Sequence, residues 1–284
     1  MFKRPIYKFK TARKEIELGV ETLIMGVLNC TPDSFSDGGS YKGTDTMVNR
    51  ALEMTKQGAD LIDIGGESTR PGSEPVNETE ELSRVIPVIK KLREKSDILI
   101  SIDTTKAAVA KAAVEAGADI INDISGFKMD PDMKQVAVET KAGCMLMHMR
   151  GTPQTMQQFL EYDDIVKDII SYFEDIIDDL IKSGIDRQCI MIDPGIGFSK
   201  DVEQNLILIR QLKDFESLKL PILLGTSRKS FIGHILNKKD PKDRVWGTAA
   251  SIAIGIANGA HVVRVHDIHE MTDVAKISDA IMPK

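Results

Sequence analysis

A loose internal repeat restricts the fold of this chain more than any other feature. Helix-like stretches run out in Gly-Ala-Asp or Gly-Ala-His and pass at once into a short apolar run. QGADLIDIG begins at Gln57, AGADIINDI at Ala116 and NGAHVVRVHD at Asn258, with SGIDRQCIMIDPG from Ser183 as a looser case. Gly58, Gly117, Gly184 and Gly259 each suit the left-handed residue just past a helix C-terminus. The runs that follow, 61–64, 120–124, 190–192 and 262–265, are short and β-branched without polar/apolar alternation. That is the pattern of strands covered on both faces.

Four more segments fit the mould, at 23–28, 98–102, 144–147 and 222–224. Eight strands separated by helices are the count of a closed parallel barrel, so the fold class is α/β, a (β/α)8 TIM barrel. The expectation is a single domain over residues 1–284, with 1–20 outside the repeat as a short N-terminal hairpin closing the barrel bottom. An open doubly wound sheet is the rival. It wants a phosphate fingerprint after the first strand, and NCTPDSFSDGG holds no G-x-G-x-x-G.

The helices read well. Asn77 and Glu80 suit a capping box, and Pro87 should kink the helix they start. Ile165, Ile169, Phe173, Ile176, Ile177 and Leu180 form a stripe at helical period. Residues 245–259, VWGTAASIAIGIANG, are apolar nearly all round, which marks burial or, more to be expected on a barrel's outer ring, a homodimer contact.

Charge and cysteine content narrow the function classes. There are 37 basic and 43 acidic residues among 284, a net −6, which argues against nucleic-acid binding but leaves room for a local basic pocket. Cys30, Cys144 and Cys189 are odd in number and form no C-x-x-C, so small apolar residues in a reducing compartment are expected. The N-terminus lacks a signal-like apolar region, and no apolar run approaches the ~20 residues of a bilayer span. The expected location is cytoplasmic, with no membrane partner.

Active sites of such barrels lie at the C-terminal ends of the strands. Those ends hold Asn29, Asp63 with the loop GGESTRPGS, Asp103, Asn122, His148, Asp193, Gly225 with Thr226, and Arg264 with His266. Asp103 precedes a helical stretch, so capping is an equal alternative for it; capping explains Asn122 and Asp193 less well. His148 reads as a hydrogen-bonded structural group. GTSRKSFIG, 225–233, looks built for an anion: Gly225 admits a ligand to the backbone, and Ser227, Arg228, Lys229 and Ser230 supply donors at a helix start. It is no Walker motif, because Arg228 stands where glycine is required. For Lys229 the bland alternative is a solvated helix lysine. Arg264 and His266 share one side of the last strand, and a guanidinium with an imidazole suits a diphosphate. No metal cluster emerges, which leaves a Mg²⁺ carried by substrate. The long loops after the first two strands, NCTPDSFSDGGSYKG and GGESTRPGS, suit lids that close over substrate.

Seven ordered blocks together resemble the dihydropteroate synthases: IMGVLNCTPDSFSDGG, GADLIDIGGESTRPGS, ISIDTT, ADIINDISG, DPGIGF, LLGTSRKSFIG and VVRVHD. The resemblance runs from about Ile24 to His266. It implies a homodimeric TIM barrel that transfers the hydroxymethyl-dihydropterin group from its diphosphate to para-aminobenzoate, a folate-synthesis step that sulfonamides block. It also implies site roles. Asp103, Asn122 and Asp193 would read the pterin edge, Lys229 would contact its acceptor side, and Met147 and Phe198 would line the ring pocket. Asn29, Arg264 and His266 would form the diphosphate site, with Mg²⁺ at Asn29. Asp33, Ser34, Phe35 and Asp37 would belong to the first mobile loop, and Thr69, Arg70 and Pro71 to the second. Phe35, Pro71 and Ser230 would bound the aminobenzoate pocket, and Gly225 would face substrate. Asp103, Lys229, Arg264 and His266 would carry the catalysis. Corrinoid methyltransferases of the same barrel class lack both lid motifs, and a non-catalytic homologue would be expected to lose Lys229, Arg264 or the lids.

Overall fold

The computed structural model describes residues 3–31, 40–69 and 72–283. It opens with an antiparallel hairpin, β1 (Tyr7–Lys10) and β2 (Glu15–Leu18), in register Phe9 to Ile16. Eight parallel strands follow. They are β3 (Leu23–Asn29), β4 (Leu61–Gly65), β5 (Leu99–Asp103), β6 (Ile120–Asp123), β7 (Gly143–Met147), β8 (Ile190–Asp193), β9 (Leu223–Leu224) and β10 (Val262–Val265). Their order is β8-β7-β6-β5-β4-β3-β10-β9, and a parallel bridge from Ile192 to Ile222 joins the two ends. The sheet is therefore a barrel, and the doubly wound alternative falls. All four repeat glycines have φ between 101° and 116°, the left-handed turn each was expected to make.

Helices separate the strands: α1 (Ser40–Lys56), α2 (Glu78–Lys95), α3 (Ala107–Glu115), α4 (Met133–Thr140), α5 (Ile165–Lys182), α6 (Val202–Arg210), α7 (Ser230–Leu236) and α8 (Val245–Ala257), with α9 (Ile268–Ile281) after β10. The expected stripe on α5 is buried along its whole length. Asn77 caps α2 by accepting from the Glu80 amide at 2.9 Å. The box does not close, because the Glu80 carboxylate turns to Arg84 instead. Nor does Pro87 divide the helix: α2 continues to Lys95, with Val85, Val88, Ile89 and Leu92 wholly buried. Proline removes one amide hydrogen from the ladder, and packing of that face carries the helix across.

Strand register sorts the barrel interior into layers. Period-two alternation sends Met25, Leu61, Leu99, Ile120, Met145, Met191, Leu223 and Val262 inward at the N-terminal end, where they form one buried cluster with Phe9 and Leu18. The hairpin thus plugs the bottom with apolar side chains, as expected for residues 1–20. Two residues further along, five of the strands turn polar inside, with Asp63, Ser101, Asn122, Asp193 and Arg264, while Val27 and Met147 keep two strands apolar. There Asp63 lies level with Ser101, and Asp103 pairs in register with Asn122 and Gly65. The apolar floor leaves one place for the chemistry, the upper third of the barrel.

Helix α8 is split in character. Thr248, Ser251, Ile252, Gly255 and Ile256 face inward, whereas Trp246 is 74% and Ile254 53% exposed. Gly255 brings the helix close onto β9: a Cβ there would sit 2.1 Å from Leu224 Cδ2, so a larger residue would require the Leu224 side chain to move. Cys30, Cys144 and Cys189 are buried free thiols, as the apolar reading has it. No helix among the described residues is long and apolar enough to cross a membrane.

Candidate active site

Arg264, projecting inward from β10, organises the polar layer. Its Nε donates to Asp63 at 2.6 Å and its Nη2 to Asp103 at 2.7 Å. Asn122 donates to both oxygens of Asp63, at 3.2 and 3.4 Å. Four strands that are far apart in sequence thereby share one network. Burial works to depress the Arg264 guanidinium, but the charges of Asp63 and Asp103 outweigh it and hold it above the ordinary value. Arg264 is thus no bare cation waiting for an anion. Two of its three nitrogens are committed to carboxylates, and Nη1 is left for a ligand.

Asp103 does not cap the next helix. The N-cap position of α3 is Lys106, and Asp103 turns into the barrel instead. Burial pushes its carboxyl up to about 7, against the opposing pull of Arg264 and with help from the neighbouring charge of Asp63. Asp193 closes the other side of the layer. Its Oδ1 accepts from the Gly195 amide at 2.7 Å. Burial raises this carboxyl too, opposed by Lys229, the Gly195 amide and Arg264. Gly225 leaves a gap between Asp193 and the Arg264 stem, because a Cβ there would lie 3.8 Å from Asp193 Oδ2 and 3.9 Å from Arg264 Cβ.

The loop after β9 contributes Lys229 but not all its donors. Lys229 is not a solvated helix lysine: its Nζ donates to the Ile196 carbonyl and sits 4.1 Å above the Phe198 ring. Burial lowers it to about 7, with Asp193 opposing. Arg228 turns away from the mouth. It has φ 59° and makes a two-pronged ion pair with Asp267, so it is withdrawn from the anion role. Ser227 Oγ lies 2.9 Å from His266 Nδ1, which orients the imidazole at the end of β10. Ser230 is exposed as the first residue of α7, and Asn29 is exposed as the last of β3.

Apolar walls stand beside these groups. Met147 is buried with Ile124, Met149 and Met156, and Phe198 packs against the four. On the other flank, Asp103, Glu67, Thr69, Thr104, Lys106 and Thr152 line a side cavity of about 440 Å³. His148 is the structural residue it was expected to be, 2% exposed and bonded to Lys200.

The structure thus brings together Asp103, Asn122, Met147, Asp193, Phe198, Gly225, Lys229, Arg264 and His266, with Asn29, Thr69 and Ser230 at the rim. Asp33, Phe35, Arg70 and Pro71, with Ser34 and Asp37, lie outside the described residues. Asp63 plays a larger part than its place at a strand end suggested. The signal was present: it alternates with Leu61 on the inner face, and a buried acid there needs a cation. Lys200 carried no such signal, since only the folded chain shows that it is buried.

Carboxylates and an amide over an apolar floor, the hydrophobic cluster of Met147 and Phe198 to one side and cations toward the mouth suit a barrel enzyme for a flat, hydrogen-bonding ring with a charged appendage, as in the pterin-binding class. Residues 25–266 match the family model described as pterin binding enzyme. The dihydropteroate synthase of Synechocystis sp. is 50% identical over 263 residues, 93% of this chain and 91% of that one. Among solved structures, a Clostridium difficile dihydropteroate synthase crystallised in the presence of pteroic acid superposes with TM-score 0.89 at 46% identity, covering 94% of this chain and 99% of its own. A Yersinia pestis dihydropteroate synthase with a sulfonamide drug complex gives 0.90 at 41%, covering 96% and 98%. One from Xanthomonas albilineans with 4-aminobenzoic acid gives 0.90 at 36%, covering 98% and 100%. The chain belongs to the dihydropteroate synthase family.

Proposed function

We propose that this chain joins the methylene carbon of 6-hydroxymethyl-7,8-dihydropterin diphosphate to the amine of para-aminobenzoate, giving 7,8-dihydropteroate and pyrophosphate. The observation that carries the reading is the polar layer itself: Asp103 and Asn122 share the network of Asp63 and Arg264, and Asp193 lies within the electrostatic reach of Lys229 and Arg264. A pterin edge offers an amino group and a ring N–H next to a carbonyl. Two carboxylates and an amide accept from the first pair, and Lys229 donates to the acceptor side. Met147 and Phe198 sandwich the ring, while Arg264 Nη1, His266 and Asn29 face the diphosphate. Thr69 and Ser230 stand where the aminobenzoate must enter, and sulfonamides compete there by shape.

No nucleophilic side chain is required. The C–O bond to the diphosphate breaks with its electron pair going to the phosphate oxygen, and the amine nitrogen forms the new C–N bond and then loses a proton. The work of the barrel is electrostatic: cations at the mouth meet the charge growing on the leaving group, and Asp103 faces the positive charge growing on the pterin methylene. We take the path to be dissociative, with water kept out while the cation exists. Scrambling of the bridging oxygen in the absence of aminobenzoate would support that path, and its absence would favour concerted displacement. Asn29 offers one hard amide oxygen, which suits a Mg²⁺ that keeps waters and substrate phosphates as its other ligands. When bound, that ion would neutralise part of the diphosphate charge.

The second copy of a homodimer would cover Trp246 and Ile254 of α8 together with Ile235 and Leu236 of α7, all exposed and apolar. The three buried free thiols fit a reducing cytoplasm. The activity is tested by incubating the protein with the pterin diphosphate, aminobenzoate and Mg²⁺ and measuring pyrophosphate. Folded protein that releases none under saturating substrates overturns the reading.

A further inference from the structure

The catalytic account leaves a buried lysine beside the Phe198 wall without a task. Lys200, in the loop between β8 and α6, is 4% exposed and makes no ion pair with a carboxylate among the described residues. Its Nζ lies 3.0 Å from His148 Nδ1, 2.8 Å from the Phe198 carbonyl and 3.4 Å from the His148 carbonyl. Burial, with Lys229 and Arg150 nearby, holds the Lys200 amine well below the ordinary lysine value against the pull of Asp193, and these three atoms are its polar partners. Burial, with the nearby Lys200 and Arg150, also presses the His148 imidazole down to about 2, so the ring is neutral and faces the amine with Nδ1. The Tyr172 ring meets it edge-on at 4.7 Å and holds its plane.

The loop that Lys200 grips is strained and closely seated. Gly195, Gly197 and Ser199 have φ of 74°, 81° and 48°. A Cβ on Gly195 would lie 2.1 Å from the His148 carbonyl oxygen, so the loop rests directly on the backbone after β7. Tyr162 donates to the Ser199 carbonyl at 3.0 Å, and the Arg150 amide donates to Ser199 Oγ at 3.0 Å. From the barrel side, Lys229 holds the Ile196 carbonyl. Two lysine side chains therefore staple alternate carbonyls of one segment, and between them stands the ring of Phe198 with Lys229 above it.

We propose that Lys200 is a positioning residue for the pterin: through the Phe198 carbonyl and the His148 ring it sets the loop that presents the Phe198 face and the Lys229 ammonium to the ligand. The proposal rests on the pterin reading of the site. Without the Lys200 amine, the His148 carbonyl and ring lose a partner and the Phe198 carbonyl keeps only Ser199 Oγ, so the loop with left-handed residues at 195, 197 and 199 is free to shift the Phe198 ring.

The test uses the full chain carrying Lys200→Met, which keeps the stem and removes the amine. The expected result is a folded protein whose KM for the pterin diphosphate rises by about tenfold, the scale of one lost hydrogen bond, while the KM for aminobenzoate stays within about twofold. Calorimetry with pteroic acid should show the same weakening. A residue that mattered only to stability would lower the melting temperature and leave both KM values in place, and that result overturns the proposal. If Lys200→Met does not fold, His148→Leu removes the Nδ1 acceptor alone and should raise the same KM, whereas His148→Asn, with an amide oxygen near the Nδ1 position, should restore it. Unchanged pterin affinity in His148→Leu, or collapse of both variants, equally refutes the positioning role. Wild-type protein that fails to bind pteroic acid would sink the site reading rather than this inference.

Discussion

Arg264→Met is the substitution whose consequences can be worked furthest. In the native barrel the guanidinium stands between Asp63 and Asp103, at 2.6 and 2.7 Å, and Asp63 is wholly buried. Methionine fills the stem but leaves two buried carboxylates facing each other without a counter-charge. Breaking a buried ion pair in this way costs about 3–5 kcal/mol, which for a chain of this size lowers the melting temperature by roughly 10 °C. The sign with pH follows from linkage. Asp103 is already pushed up to about 7 by burial, with Arg264 pulling it down; removing Arg264 sends it higher still. A carboxyl raised in the folded state costs nothing below its unfolded value near 4 and its full penalty above its folded value. The deficit of the variant is therefore largest at about pH 8. It shrinks toward pH 5.5 by up to about 1.4 kcal/mol per pH unit for each additional carboxyl left protonated. The assay is denaturant or thermal unfolding of both proteins across that range. Adding Asp63→Asn and Asp103→Asn should return most of the lost stability, since an uncharged trio leaves nothing unpaired. A deficit below about 1 kcal/mol, or one that is equal at pH 8 and pH 5.5, would refute the view that this guanidinium exists first to neutralise the barrel interior.

Asp193→Asn should weaken pterin binding by roughly 1–3 kcal/mol, because a charge-assisted acceptor becomes a mismatched amide; calorimetry with a pterin ligand reads it. The pH profile of kcat/KM for the pterin diphosphate should be a narrow bell near neutrality. Asp103, raised to about 7, must be ionised, and Lys229, lowered to about 7, must stay protonated; the two limbs belong to the coupled cluster rather than to either residue. A flat profile across that range contradicts both roles. Phe9→Ala, at the wholly buried plug, should cost about 3–5 kcal/mol in unfolding experiments. Both substrate KM values should stay where they are, because the plug lies at the opposite end of the barrel.

The repeat made the barrel legible before any coordinates existed. A left-handed glycine after four of the helices and a doubly apolar run after each such glycine are local facts, and Gly58, Gly117, Gly184 and Gly259 obey them because helix termination depends on neighbours within a few residues. The position of a polar residue at a strand end is equally local, so Asp103, Asn122, Asp193 and Arg264 could be named as a set. What a side chain faces is not local. The same arginine that reads as a free phosphate ligand is tied to two carboxylates, Arg228 is spent on Asp267, the capping box at Asn77 stays half open, and Lys200 lies inside the protein. The capping box is lost to a neighbour one helical turn away, but the other three turn on partners tens to hundreds of residues distant, brought together only by closure of the barrel. Sequence determined where this chain turns and which residues reach the mouth; the tertiary structure decided which charges meet there, because the energy of a buried charge is set by its neighbours in space.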